Sequence, residues 1–280
     1  MKVSVIVTTF NRAHMVTEAI DSILNQTFED FELIVVDNCS SDDTEEIIKA
    51  YTDERIRYFK HENGGVVAVN RNYGIGQAQG EYIAFCDDDD LWMPEKLEKQ
   101  MLEFEKDNQL ALVCTNGIIF DKNGELGEFF KTELPDSNFT LESLIWGNSV
   151  ICSSVLVKKS VIDDVGLMDE SPQILTGEDY ELWLRVAQKY RIKYIDLPLM
   201  KYRTHPGGYK KKSVEAIERN RAVYRILLVK GVIDYGLYRR LNLRALVTEF
   251  LMRTGTIKYA SWFLRLVRSL RDVVRRKFNA

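Results

Sequence analysis

Tyr82-Ile83-Ala84-Phe85-Cys86-Asp87-Asp88-Asp89-Asp90 is the stretch on which the fold turns: an apolar run enters four consecutive aspartates and continues into Leu91-Trp92-Met93-Pro94. The apolar residues read as a short buried strand. Four like charges at its end repel one another, and removing them from water is costly. A cation is therefore expected there. Mg²⁺ or Mn²⁺ suits hard carboxylate oxygens and commonly binds through one or two carboxylates together with substrate phosphates. The plainer alternative is a solvated acidic turn that caps a helix beginning near Pro94.

Working outward, the first hundred residues alternate strand and helix signals. Residues 3–8 are rich in β-branched side chains, and residues 13–25 place Met15, Ala19, Ile20, Ile23 and Leu24 at helical spacing. Strands are expected at 31–36, 56–59 and 82–86, and helices at 41–51 and 66–78. Such alternation implies βαβ units and a mainly parallel sheet flanked by helices, with a ligand crevice at the strands' carboxyl ends. Polar residues gather at those ends: Thr8-Thr9-Phe10-Asn11-Arg12, then Asp37-Asn38, then the aspartates. Further strands are expected at 111–120, 150–158 and 192–195, and a helix at 177–190. From about residue 211 three helices follow, broken near Gly231-Val232-Ile233-Asp234 and Thr254-Gly255.

The 280 residues carry 45% hydrophobic side chains and a net charge of −4. The charge is uneven, since residues 237–280 hold eleven Lys or Arg and only two acids. An acidic body with a basic tail points to two surfaces with different partners. Cys39, Cys86, Cys114 and Cys152 form no C-x-x-C pair, which argues for free thiols in a reducing compartment. No run approaches the ~20 apolar residues needed to span a bilayer. A cytoplasmic protein is the expectation, with any membrane contact peripheral.

Several segments together resemble the family-2 glycosyltransferases of the GT-A, Rossmann-like fold. They are residues 5–12, Gln26-Thr27-Phe28, residues 32–37, Ser40-Ser41-Asp42-Asp43-Thr44, Asn70-Arg71-Asn72-Tyr73-Gly74, residues 80–85, the aspartates and Gly177-Glu178-Asp179. The resemblance implies a domain over residues 1–210, with a nucleotide-binding half (1–100) and an acceptor-binding half (101–210). Residues 211–280 would form a basic, amphipathic helical extension. It implies an inverting transfer from a nucleoside diphosphate sugar to a hydroxyl of a glycan or lipid-linked acceptor in cell-surface polysaccharide synthesis.

In this reading Asp89 reaches a Mn²⁺ or Mg²⁺ ion, and His205, in Tyr202-Arg203-Thr204-His205-Pro206, is a second candidate ligand. Asp87 or Asp88 holds the ribose or supports the metal, while Asp90 caps the next helix. Thr8, Phe10 and Arg12 line the base, Asp37 accepts from base or ribose, and Arg71 contacts the diphosphate. Asp179 is the general base, and Glu178 and Trp146 border the acceptor. Asn38 stands where many relatives carry Asp; its amide adds a donor, so dTDP- and GDP-sugars stay open beside UDP-sugars.

Each residue also has a plain structural reading: core packing for Phe10, ion pairs for Arg12 and Arg71, first-turn helix acids for Glu178 and Asp179. A sugar nucleotidyltransferase would want glycines in the loop at residues 8–12, which has none. A non-catalytic nucleotide-sugar-binding protein would not need Asp179. In residues 257–274, Phe263, Val267, Leu270 and Val274 follow helical spacing with arginines on other faces. This stripe would lie on an anionic membrane, pack on the body, or pair two copies into a homodimer. An acidic body opposes nucleic-acid binding.

Overall fold

Residues 3 to 7 of β1 (Val3–Thr9) are all buried, as expected of a parallel strand covered on both faces. The computed structural model describes residues 1–130, 138–204 and 213–254, and the chain divides into two compact units, Met1–Gly208 and Tyr209–Ala280. In the first unit β1 is followed by α1 (Ala13–Leu24), β2 (Phe31–Asp37), α2 (Thr44–Lys49), β3 (Ile56–Lys60), α3 (Val67–Gln77) and β4 (Tyr82–Asp87). These four strands are parallel, in the order β3-β2-β1-β4.

Then come β5 (Leu91–Trp92), α4 (Lys96–Lys106), β6 (Leu110–Asp121), β7 (Gly124–Glu128), β8 (Asn138–Phe139) and α5 (Leu141–Leu144). A 3-10 turn (Cys152–Ser154), β9 (Leu156–Lys158), α6 (Lys159–Val165), a second 3-10 turn (Pro172–Ile174), α7 (Glu178–Lys189) and β10 (Arg191–Arg203) complete the unit as far as it is described. The sheet continues past β4 as β9-β6-β10-β5. Short β9 runs antiparallel to both β4 and β6, whereas β10 is parallel to β6.

Three expectations need correction. The strand expected at 150–158 is only β9, because the 3-10 turn at Cys152–Ser154 takes the chain off the sheet. The strand expected at 192–195 extends through Arg203, with register shifts on both sides of Pro198, which has no N–H to give a ladder. Asp90 does not cap the next helix. Glu95 occupies the N-cap of α4, and the buried Gln26 side chain accepts from the Leu97 N–H at 3.0 Å while donating to Met93 O at 2.8 Å.

In the second unit Ser213 Oγ accepts from the Ala216 N–H at the start of α8 (Val214–Val229), and Asp234 Oδ1 from the Leu237 N–H at the start of α9 (Tyr235–Arg253). Ser and Asp are good N-caps because their oxygens satisfy amides the helix leaves unpaired. The two helices join through Arg221, which donates to Asn242 and pairs with Glu249. Residues 257–274 lie outside the described residues.

Close packing at β1 gives a direct test of the core. A Cβ on Gly80 would stand 2.7 Å from Ser4 N, a backbone atom that cannot turn aside, whereas a Cβ on Gly76 in α3 would meet nothing within 4 Å. Gly80→Ala is expected to destabilise by ~1–3 kcal/mol and Gly76→Ala to stabilise by ~0.4–1 kcal/mol. Denaturant melts of the two variants would check the opposite signs.

Candidate active site

Strand register brings the polar loops together. Thr8 pairs with Asp87 and Thr9 with Asp37, so β1, β2 and β4 end level with one another. The loop after β1 is latched to the loop after β2: Asn11 N donates to Ser40 Oγ (2.9 Å), Ser41 N to Asn11 Oδ1 (2.8 Å) and Ala13 N to Asp42 Oδ2 (3.1 Å). Asn11 takes the left-handed backbone (φ 51°), which Asn tolerates better than most residues.

The aspartates sort by burial. Asp88 and Asp90 are buried; Asp87 and Asp89 remain partly exposed. Arg12 Nη1 reaches Asp88 at 2.9 Å and Asp89 at 3.1 Å. Asp90 accepts from Ser153 Oγ (2.6 Å) and from the backbone N–H of Arg203 (3.0 Å), and Ser153 Oγ in turn accepts from the Asp87 N–H at 3.0 Å. Arg203 Nε donates to Asp89 O at 2.8 Å. Burial, opposed by Arg12, pushes the Asp88 carboxyl up to about 6; burial and then Asp87 and Asp89 push Asp90 well above the carboxylate range.

Asp179 lies in the first turn of α7, partly exposed, with its oxygens accepting from its neighbour Tyr180 N (2.6 Å) and from Asn148 Nδ2 (3.3 Å). Burial raises it to about 7; Glu178 adds to the rise, while Arg71 opposes it. Arg71 joins this helix end to the aspartates by pairing with Glu178 at 2.7 Å and Asp87 at 2.6 Å.

The other sequence candidates fall in two groups. Thr8 and Asn38 border the same loops, and Phe10 is 51% exposed beside them. Trp146 is also exposed, two residues before Asn148. Asp37, by contrast, is fully buried, with Oδ1 accepting from Ser40 Oγ and N–H and Oδ2 from Tyr58 OH. In this arrangement its oxygens shape the loop. Asn38 Oδ1 accepts from the Asn63 N–H at 2.8 Å. His205 lies outside the described residues.

Nothing in the sequence marks Arg203 or Lys96 for a role, whereas Ser153 lies in Cys152-Ser153-Ser154, a segment that resembles a lining of the acceptor pocket, and donates to Asp90 at 2.6 Å. Lys96 is fully buried, its Nζ 3.9 Å from the Trp92 ring centre and donating to Gln100 at 2.8 Å; burial pushes it down to about 7. Ser153 and Arg203 act across 63 and 114 positions of sequence, beyond the reach of any local pattern; Lys96 meets Gln100 one helical turn away, and it is the burial of that pair that spacing does not show.

Among the described residues no three His, Cys, Asp or Glu side chains cluster closely enough to hold a metal by themselves. A hard cation that takes one or two carboxylates and fills its shell with phosphate oxygens fits this donor set. Arg12, bridging Asp88 and Asp89 with its side chain 39% exposed, marks where positive charge is favoured.

The Glycosyl transferase family 2 model matches residues 4–166. An uncharacterised glycosyltransferase of Rickettsia typhi is 35% identical over 81% of this chain and 72% of its own length. The chain spans only about a third of three other rickettsial relatives. The UDP-Glc:alpha-D-GlcNAc-diphosphoundecaprenol beta-1,3-glucosyltransferase WfgD of Escherichia coli is 28% identical over 78% of this chain and 83% of its own. Among solved structures, Staphylococcus aureus TarS 1–349 in complex with UDP-GlcNAc superposes with a TM-score of 0.67 at 22% identity, covering 90% of this chain and 73% of that one. A Pyrobaculum calidifontis mannosyltransferase with GDP-Man and Mn²⁺ gives 0.63 at 16% identity, covering 96% and 75%. The shared architecture is the GT-A fold, and the matched model with the rickettsial relative settles the family: this chain belongs to glycosyltransferase family 2.

Proposed function

We propose that the chain is an inverting glycosyltransferase that moves a sugar from a nucleoside diphosphate sugar to a hydroxyl of a glycan or lipid-linked acceptor, in cell-surface polysaccharide synthesis. The observation that carries this reading is the joining of the aspartate turn to the amino end of α7 through Arg71. Acceptor activation and leaving-group stabilisation need groups on either side of one anomeric carbon, and these two elements supply them.

Asp179 takes the proton from the acceptor hydroxyl. A base raised to about 7 is well matched to that work near neutral pH. The oxygen attacks the anomeric carbon from the face opposite the diphosphate, which departs toward the aspartate turn. Asp89, with His205 as a candidate second ligand, would hold Mn²⁺ or Mg²⁺, whose Lewis acidity offsets charge developing on the diphosphate. Asp87 and Asp88 support that end of the site. Thr8, Phe10, Arg12 and Asn38 border the base; the Asn38 amide leaves UDP, dTDP and GDP as candidates. The bound UDP-GlcNAc and GDP-Man of the two solved neighbours support a nucleotide-sugar donor of this kind. Trp146 and Glu178 flank the acceptor side.

Membrane contact at the cytoplasmic face has support in α9, whose exposed side includes Leu243, Leu246 and Phe250 with Arg239 and Arg240. Apolar residues beside arginines suit an anionic lipid surface, where a lipid-linked acceptor would be met. No helix among the described residues is long and apolar enough to cross a membrane.

Calorimetric titration with UDP-, dTDP- and GDP-sugars, with and without Mn²⁺, tests the donor. One donor should bind in a metal-dependent way and lose that dependence in Asp89→Ala; binding of none would sink the reading. Asp179→Asn should keep donor binding and lose about 10²–10⁴-fold in turnover, whereas a non-catalytic binding protein would keep its function.

Because the folded Asp179 carboxyl lies above its unfolded value, its stabilising contribution is full below about pH 4 and is lost as pH rises through about 7. Wild-type turnover should therefore rise toward a plateau above pH 7, while Asp179→Asn should melt higher than wild type at pH 8. For the membrane, sedimentation with phosphatidylglycerol vesicles at low salt should carry wild type down and release a Leu243→Ser/Phe250→Ser variant. A dimer that stays in solution would favour pairing of copies through the C-terminal helices instead.

A further inference from the structure

Arg71 sits on α3, 16 residues from Asp87 and 107 from Glu178, and binds both. Its side chain is 8% exposed. Nη2 donates to Asp87 Oδ1 at 2.6 Å and Nη1 to Glu178 Oε1 at 2.7 Å. The other oxygen of Glu178, Oε2, is buried without a hydrogen-bond partner. A buried carboxylate with one oxygen unsatisfied is costly to keep, and the guanidinium answers its charge. The family resemblance implies a diphosphate contact for Arg71, yet both of its terminal nitrogens face carboxylates and little of the side chain meets solvent.

Resting on the reading of Asp179 as general base, we infer that Arg71 is a positioning residue: it ties the aspartate turn to the amino end of α7 and sets the protonation of Asp179. Its partner in this is Glu178, adjacent to Asp179 on the same helix. The groups around the Asp179 carboxyl come from several elements. Glu178 of α7, Asp87 of β4 and Arg71 of α3 act on it through their charges, and its own charge acts in turn on Cys152 of the 3-10 turn and Tyr202 of β10. Arg71 is the cation among them. Asn148 Nδ2 and the Tyr180 N–H donate to its oxygens.

Charge then fixes the signs. Without the Arg71 cation the ionised form of Asp179 loses support and protonation persists to higher pH. Without the Glu178 anion the ionised form is favoured and protonation ends at lower pH. A merely structural pair would not move Asp179 in opposite directions.

The test follows the Asp179 carboxyl by ¹³C NMR in aspartate-labelled protein, assigned by its loss in Asp179→Asn, and needs no ligand. Arg71→Gln should move its midpoint up by about one pH unit and Glu178→Gln should move it down by a comparable amount, with Arg71→Lys near wild type. Shifts of the same sign, or none, would overturn the inference. Should Arg71→Gln fail to fold, Glu178→Gln and Arg71→Lys decide it by the same criteria.

Binding of UDP, dTDP and GDP, each with Mn²⁺, separates positioning from diphosphate contact. Affinity in Arg71→Lys and Glu178→Gln should stay within about threefold of wild type. A tenfold or larger loss in Arg71→Lys, with Glu178→Gln unaffected, would assign Arg71 to the diphosphate instead. If wild type binds none of the three, the donor reading falls, while the carboxyl titration still decides what Arg71 does.

Discussion

Four carboxylates at the end of a buried strand repel one another, and much of the first unit's polar structure answers that repulsion. Arginines from three distant elements converge on the turn: Arg12 on Asp88 and Asp89, Arg71 on Asp87, and Arg203 on the backbone carbonyl of Asp89. Removing one partner of a buried ion pair commonly costs ~3–5 kcal/mol, because the remaining charge is stranded; of these contacts that applies to Arg71, which also pairs with the buried Glu178, while the partly exposed Arg12 contributes less. Asp90, the most deeply buried of the four, is held by Ser153 Oγ and the Arg203 N–H, joining the aspartates to the 3-10 turn before β9 and to the end of β10.

These ties divide the aspartates by exposure. Asp88 and Asp90 face inward, where burial favours their protonated forms, while Asp87 and Asp89 stay accessible. A turn with alternate residues facing protein and solvent can be anchored through one pair while the other remains open to ligands. The same economy holds at α7, where Glu178 is enclosed against Arg71 and the neighbouring Asp179 keeps a path to solvent. Adjacent acids in a first helical turn point in different directions, since successive residues are about 100° apart around the helix axis.

Much of the fold was legible in the chain. The parallel strands β1 to β4 and their helices follow from hydrophobic runs and periodicity, and the crevice at their carboxyl ends follows from the topology. The second half was read less well. Residues 150–158 are apolar enough for a strand, but a three-residue strand between β4 and β6 and a 3-10 turn leave no local signature. Asp90 looked like a helix cap because it precedes one; the actual acceptor is the side chain of Gln26, about 70 residues away.

The sequence by itself determined the family, the residue types at the crevice and the need for positive charge beside the aspartates, because these depend on composition, order and short-range spacing. Which cation answers which carboxylate was decided only by the tertiary structure. Arg71 could read equally as a phosphate contact or an ion pair, and Asp37 as a ligand for a nucleotide; register and burial turned the first toward Asp87 and Glu178 and enclosed the second with Ser40 and Tyr58. The physical reason is that desolvation and charge pairing depend on distance in space, and Arg71 and Glu178, 107 residues apart in sequence, meet only in the folded chain.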